Sequence, residues 1–177
     1  MERNMQKSPA YELMLTGLMA ALVMAATSFF RIPVVATNGY IHLGDAMVFL
    51  SVMILGRRNG TIAGASGSAM ADLIGGYAHW VPWTFVIKGV MAFVTASILE
   101  AGKEKDRKPL PVSLAAMAAG SLVMISGYFL AQRIIYGNLA APLAALPGNV
   151  VQASAGIVIA EVMSAAIRKT APKMYRP

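Results

Sequence analysis

The sequence predicts an all-α membrane protein of six transmembrane helices, and three observations carry that reading. Of the 177 residues, 57% are hydrophobic and only 13% are charged, with a mean hydropathy of +0.61. A water-soluble domain carries about one charged residue in four. Apolar runs approaching the ~20 residues that cross a bilayer recur along the chain. Basic residues gather in every second connecting segment, as membrane topology demands.

The predicted spans are Leu13–Phe30, Leu43–Leu55, Thr61–Tyr77, Trp83–Leu99, Leu114–Tyr136 and Pro147–Ile167. The second is short, and the third is rich in Gly, Ala and Ser. A charged hinge, "EAGKEKDRKPLP", separates the fourth from the fifth, and "IYGNLAAPLAALPG" joins the last two with room for an interfacial turn. No internal repeat or low-complexity tract interrupts the chain, so one bundle, residues 1–177, is expected. With the N-terminus inside, the inner segments hold Arg3, Lys7, Arg57, Arg58, Lys103, Lys105, Arg107, Lys108, Arg168, Lys169, Lys173 and Arg176. Only Arg31, Lys88 and Arg133 of the 15 basic residues fall elsewhere. Both termini are therefore expected in the cytoplasm. The pI of about 9.9 is a topology signal and not a nucleic-acid footprint. The first apolar run exceeds the ~7–15 residues of a signal-peptide core, so a retained span is expected.

Polar residues sit at one level of this bundle. Tyr40, His42, Asp45, Asp72, Trp80, Trp83, Lys88, Gln132, Asn149 and Gln152 all fall in the outer halves or outer loops. Intramembrane ionisable groups face a bundle interior or a cavity, so these residues describe a cup open to the outside. Each also has a plain reading. Lys88 snorkels to the headgroups or enters the cup with Asp72 or Asp45 as counter-charge. Trp80 and Trp83 form an interfacial belt or a stacking platform. Asp45 and Asn149 follow glycines and are placed to cap helices, while Gln152 lies a turn deeper. Glu161, seven residues before Arg168, reads as an ion pair at the inner surface or a partner contact. Small residues recur every four positions at Gly17, Ala21 and Ala25 on the first helix, and at Gly60, Gly64, Ser68, Asp72 and Gly76 on the third. Such stripes let membrane helices approach closely. The third helix is expected to use its stripe within the bundle; the first serves the bundle or a partner.

Several chemistries are excluded. The chain has no cysteine, so thiolate metal sites and thiol nucleophiles are absent. It has no HExxH and no phosphate-binding G-x-x-x-x-G-K-[ST], and no metal site is expected. A cup without a nucleotide site needs an engine elsewhere.

"YIHLGDAMVFL", "GRRNGTIAGASGSAMADLIGGY" and "PWTFVIKG" resemble the substrate-binding S-components of energy-coupling factor (ECF) vitamin transporters. The likeness runs from Leu13 to about Ile167, with Ala71-Asp72 in place of Gly-Asp. It implies a six-helix S-component bundle in a cell membrane, bacterial by expectation, that captures a vitamin from outside. It implies a transmembrane coupling protein and two ABC ATPases as partners, with ATP used by those subunits and no cofactor held by this chain. Ala21 and Ala25 fit the AxxxA spacing that faces the coupling protein in that family, and Gly17 continues it. Family members bind riboflavin, thiamin, biotin, folate, pantothenate, pyridoxine-type vitamins or pyrimidine precursors. The aromatic, sparsely charged cup suits a pyridoxine or hydroxymethylpyrimidine ring, then riboflavin. Two other classes stay open: a membrane enzyme using Asp45, Asp72 and Glu161, and a stand-alone secondary carrier.

Overall fold

The computed structural model describes residues 8–29, 31–35, 39–104 and 109–170. In chain order they form α1 (Pro9–Phe29), β1 (Arg31–Val34), β2 (Gly39–His42), α2 (Gly44–Ile74), a 3₁₀ turn (Ala78–Trp80), α3 (Val81–Glu104), α4 (Pro109–Tyr136) and α5 (Ala140–Thr170). Phe30, both termini, and the basic residues Arg3, Lys7, Lys105, Arg107, Lys108, Lys173 and Arg176 lie outside the described residues. Among the described residues, four stretches are long and apolar enough to cross a membrane: Pro9–Phe29, Ala78–Lys103, Pro109–Tyr136 and Ala140–Thr170.

α1 starts where its sequence says it should. Ser8 Oγ accepts from the Tyr11 amide at 3.2 Å, Pro9 takes the first helical position, and Glu12 lies in the positive first turn. Its buried line is Thr16, Met19, Val23 and Thr27. Gly17 and Ala21 face away from the bundle, and Ala25 is half-buried.

α2 is two helices joined at Gly56, whose φ of 78° and ψ of −175° break the helical path. Only glycine adopts that backbone without strain. The halves, 44–55 and 57–74, fold back on each other. Val48 and Gly64 would be ~24 Å apart in a straight helix, yet a Cβ on Gly64 would lie 3.0 Å from the Val48 side chain. Ser51 Oγ spans the two halves, reaching the carbonyls of Val48 at 2.7 Å and Gly60 at 2.8 Å. The stripe of Gly60, Gly64, Ser68 and Asp72 is buried within the bundle, as expected, while Gly76 is exposed.

Three boundaries depart from the sequence reading. The connection after α1 is not wholly irregular: β1 and β2 pair antiparallel, with Arg31 opposite His42 and Val34 opposite Gly39. The β-branched "RIPV" and aromatic "GYIH" suit a strand pair, so among the described residues one hairpin sits on the helical frame. α5 begins at Ala140, not Pro147, which lies inside the helix. The capping amide is Asn138, whose Oδ1 accepts from Ala141 N at 3.1 Å; Asn149 caps nothing. Pro109 and Pro111 open α4 rather than closing the hinge before it, because a first turn has no amide bonds for proline to break.

Val23, Val48, Phe49, Leu50, Met53, Met91, Met117 and Met124 fill the centre. Near the Gly56 end, Glu161 accepts from Arg168 at 2.5 Å and from Ser113 at 2.8 Å. That is the ion pair its spacing suggested. The polar cluster lies at the other end, under the hairpin.

Candidate functional site: a cavity under the hairpin

The hairpin is pinned on two sides. Arg31 Nη2 donates to Ala71 O at 2.8 Å and Ser28 Oγ at 3.0 Å. Its guanidinium centre lies 4.7 Å from the Tyr40 ring centroid, and Tyr40 packs on Tyr77 at 4.7 Å. On the far side Ile41 sits against Gly148 of α5, where any Cβ would collide with it. That close approach lets β2 lie on the helix.

Beneath the hairpin is a cavity of about 40 Å³. Tyr40 and His42 form its roof, Asp72 comes from α2, Trp80 from the 3₁₀ turn and Thr84 from the start of α3. Tyr128 and Gln132 come from α4, and Asn149 and Gln152 from α5. The aromatic wall is Trp80 with Tyr128 edge-on, centroids 5.8 Å apart. Thr84 Oγ1 and Tyr128 OH are hydrogen-bonded at 3.1 Å.

Two buried acids shape the electrostatics. Asp45 is fully buried and forms an ion pair with the equally buried Lys88 through Oδ1; its Oδ2 accepts from Gln152 Nε2 at 3.0 Å. The other end of that amide, Gln152 Oε1, accepts from the His42 backbone N–H at 3.0 Å. Lys88, Asp45, Gln152 and His42 thus form one continuous network that runs from behind the lining to the roof. Asp72 sits in the wall. Tyr40 OH donates to its Oδ1 at 2.5 Å, while Asp72 Oδ2 accepts no hydrogen bond among the described residues. Gln132 Oε1 is likewise buried and without a donor.

The hairpin groups are held in defined proton states. Burial, then the charge of Lys88, lowers the His42 pKa to about 3. Its neutral Nδ1 accepts from Gly44 N at 3.0 Å, which caps α2 in place of Asp45. Burial and the Asp72 carboxylate raise the Tyr40 phenol far above its usual range, so it remains a donor.

Of the ten residues singled out from sequence, Tyr40, His42, Asp72, Trp80, Gln132, Asn149 and Gln152 line this cavity. Asp45 and Lys88 lie behind the lining: Lys88 Nζ is 5.4 Å from the Tyr128 centroid and fully buried, so it does not snorkel. Trp83 is half-buried against the core and faces no part of the cavity. Thr84 and Tyr128 escaped the sequence reading. Each lies four residues before a residue that was chosen, Lys88 and Gln132, and so shares its helical face.

The sequence matches, over residues 8–169, the family described as "ECF-type riboflavin transporter, S component". The chain belongs to that S-component family. One relative is an uncharacterized protein of Pyrococcus woesei, 35% identical over 137 residues, covering 77% of this chain and 88% of that one. The thiamine precursor transporter HmpT of Lactococcus lactis subsp. cremoris (strain MG1363) is 29% identical over 160 residues, covering 90% of this chain and 89% of its own. The fold is that of the crystal structure of an S-component for biotin from an ECF-type ABC transporter. The TM-score is 0.70 at 17% identity, covering 94% of this chain and 96% of that one. The family and the structural neighbour are transporter components, not enzymes. This S-component is a membrane protein of the vitamin-uptake class.

Proposed function

We propose that this S-component captures a small heteroaromatic vitamin precursor of the hydroxymethylpyrimidine or pyridoxine type. In this reading six helical segments span the plasma membrane, both termini are cytoplasmic and the hairpin faces outward. The cargo passes through a transmembrane coupling protein driven by two ABC ATPases, which use the ATP. The observation that carries the cargo class is the cavity itself. It is small, has the Trp80–Tyr128 wall on which a single ring can stack, and presents two buried acceptors, Asp72 Oδ2 and Gln132 Oε1. The HmpT relative supports a thiamine precursor. Riboflavin is the second reading, favoured by the family description.

The outward-facing Gly17 and Ala21 support docking of the coupling protein on α1, since nothing lies within 4 Å of a Cβ placed on Gly17. The test is calorimetry on the purified chain with hydroxymethylpyrimidine, pyridoxine and riboflavin, followed by uptake into liposomes. One small ring should bind tightly, and uphill uptake should need the coupling protein, the ATPases and ATP. Tight binding of riboflavin alone overturns the cargo, and uptake by the lone chain on an ion gradient overturns the ATP-driven scheme.

A further inference from the structure

We propose that the cavity selects its cargo by hydrogen-bond polarity, accepting a ring whose amino and hydroxyl groups donate and rejecting the same ring with an oxo group in place of the amine. This rests on the small-ring reading above.

The argument is an inventory of the polar atoms that meet in the cavity. Most are already spent. Tyr40 OH is given to Asp72 Oδ1, Thr84 and Tyr128 share one hydrogen bond, which leaves one of their two protons over, and both ends of the Gln152 amide are engaged. Two acceptors remain without a donor, Asp72 Oδ2 and Gln132 Oε1, on residues each only 4% exposed. Buried polar atoms are nearly always paired, so an orphan on a cavity wall marks where a ligand completes the set. His42, with Nδ1 used as an acceptor from Gly44, carries its ring proton on Nε2 and adds one donor. Asn149 offers both kinds of group.

The two buried orphans on the cavity wall are therefore both acceptors. An aminopyrimidine matches them, because its exocyclic amine donates beside ring nitrogens that accept. An oxo group at the same position places a lone pair against the Asp72 carboxylate. A site built to receive a donor rejects analogues that lack it far more strongly than an apolar pocket rejects a missing methylene.

Calorimetry on the purified full chain, with aminated hydroxymethylpyrimidine, its oxo analogue and riboflavin as probes, tests the proposal. The aminated ring should bind on the order of a hundredfold tighter than the oxo ring, the scale of a lost bond to a charged group. In Asp72→Asn, Tyr40 still donates to the amide oxygen, and the amide nitrogen takes the place of Oδ2. The preference should shrink or reverse, an outcome that a merely structural role does not produce. Equal affinity for the two rings in the unmodified chain overturns the selection rule and leaves the small-ring reading standing. An unchanged ratio in folded Asp72→Asn also overturns the rule. Binding of riboflavin and neither small ring overturns the rule and the small-ring reading together.

Discussion

Two buried aspartates, Asp45 and Asp72, lie under the same hairpin and have opposite fates. Asp45 has a partner on each oxygen, a cation and an amide, and no exposed surface. Asp72 has one oxygen held by Tyr40 and the other unclaimed. A fully satisfied buried charge belongs to the scaffold, because removing a partner strands the other charge in a medium that cannot solvate it. In the proposed reading, a half-satisfied one at a cavity wall serves recognition. The two groups differ by what surrounds them, not by chemistry.

The largest expected effect is therefore on the Asp45 side. Lys88→Ala should destabilise the chain by about 3–5 kcal/mol, read as a fall in detergent-solubilised melting temperature. The double substitution Lys88→Met with Asp45→Leu should recover much of the loss, since paired apolar replacements leave no stranded charge. A single variant as stable as the parent would abolish the contrast.

Next in size is Gln152→Leu, which removes two buried hydrogen bonds and leaves the His42 amide without an acceptor. A loss of about 1.5–3 kcal/mol is expected, with faster amide exchange at His42 than in the α4 core. Exchange unchanged at His42 would show that Gln152 does not hold the hairpin.

Acidification tests the same network. His42 is neutral when folded, with its pKa lowered to about 3, and titrates near 6.5 when unfolded. The unfolded chain alone takes up this proton below about pH 6.5, so the His42 contribution is complete above that pH and declines as pH falls towards 3. The slope approaches ~1.4 kcal/mol per pH unit. His42→Asn should flatten the dependence between about pH 6 and 4.5, above most carboxylate titrations. An identical slope in the variant would assign the effect elsewhere.

The smallest effects on stability should come from the α1 face. Ala21→Trp alters an exposed position and should leave stability within about 0.5 kcal/mol and ligand affinity unchanged, yet block copurification of the coupling protein. Loss of ligand binding in that variant would place the stripe inside the bundle's own packing.

The helices and the level of the polar cluster were legible because hydrophobicity and charge are read along the chain. Pairings were not, since they depend on which helical faces meet. Asp45 follows a glycine at a helix start and reads as a cap, yet His42 caps that helix and Asp45 turns inward to Lys88, 43 residues away. Pro147 looked like a helix start because proline favours first turns, and the true signal, Asn138 three residues before Ala141, was overlooked. Trp83 and Trp80 are three positions apart, and a 3₁₀ turn ending at Trp80 aims only that one into the cavity. The hairpin was hidden by its brevity, with four residues in each strand.

Placing the ion pair beneath the cavity and not in it has an evolutionary consequence. Substitutions on the wall can change which molecule is recognised without exposing the fold to the loss of a buried charge partner. One scaffold can then diversify its diet while its foundation stays untouched, and the family, a relative and a protein of the same fold carry names for riboflavin, a thiamine precursor and biotin respectively.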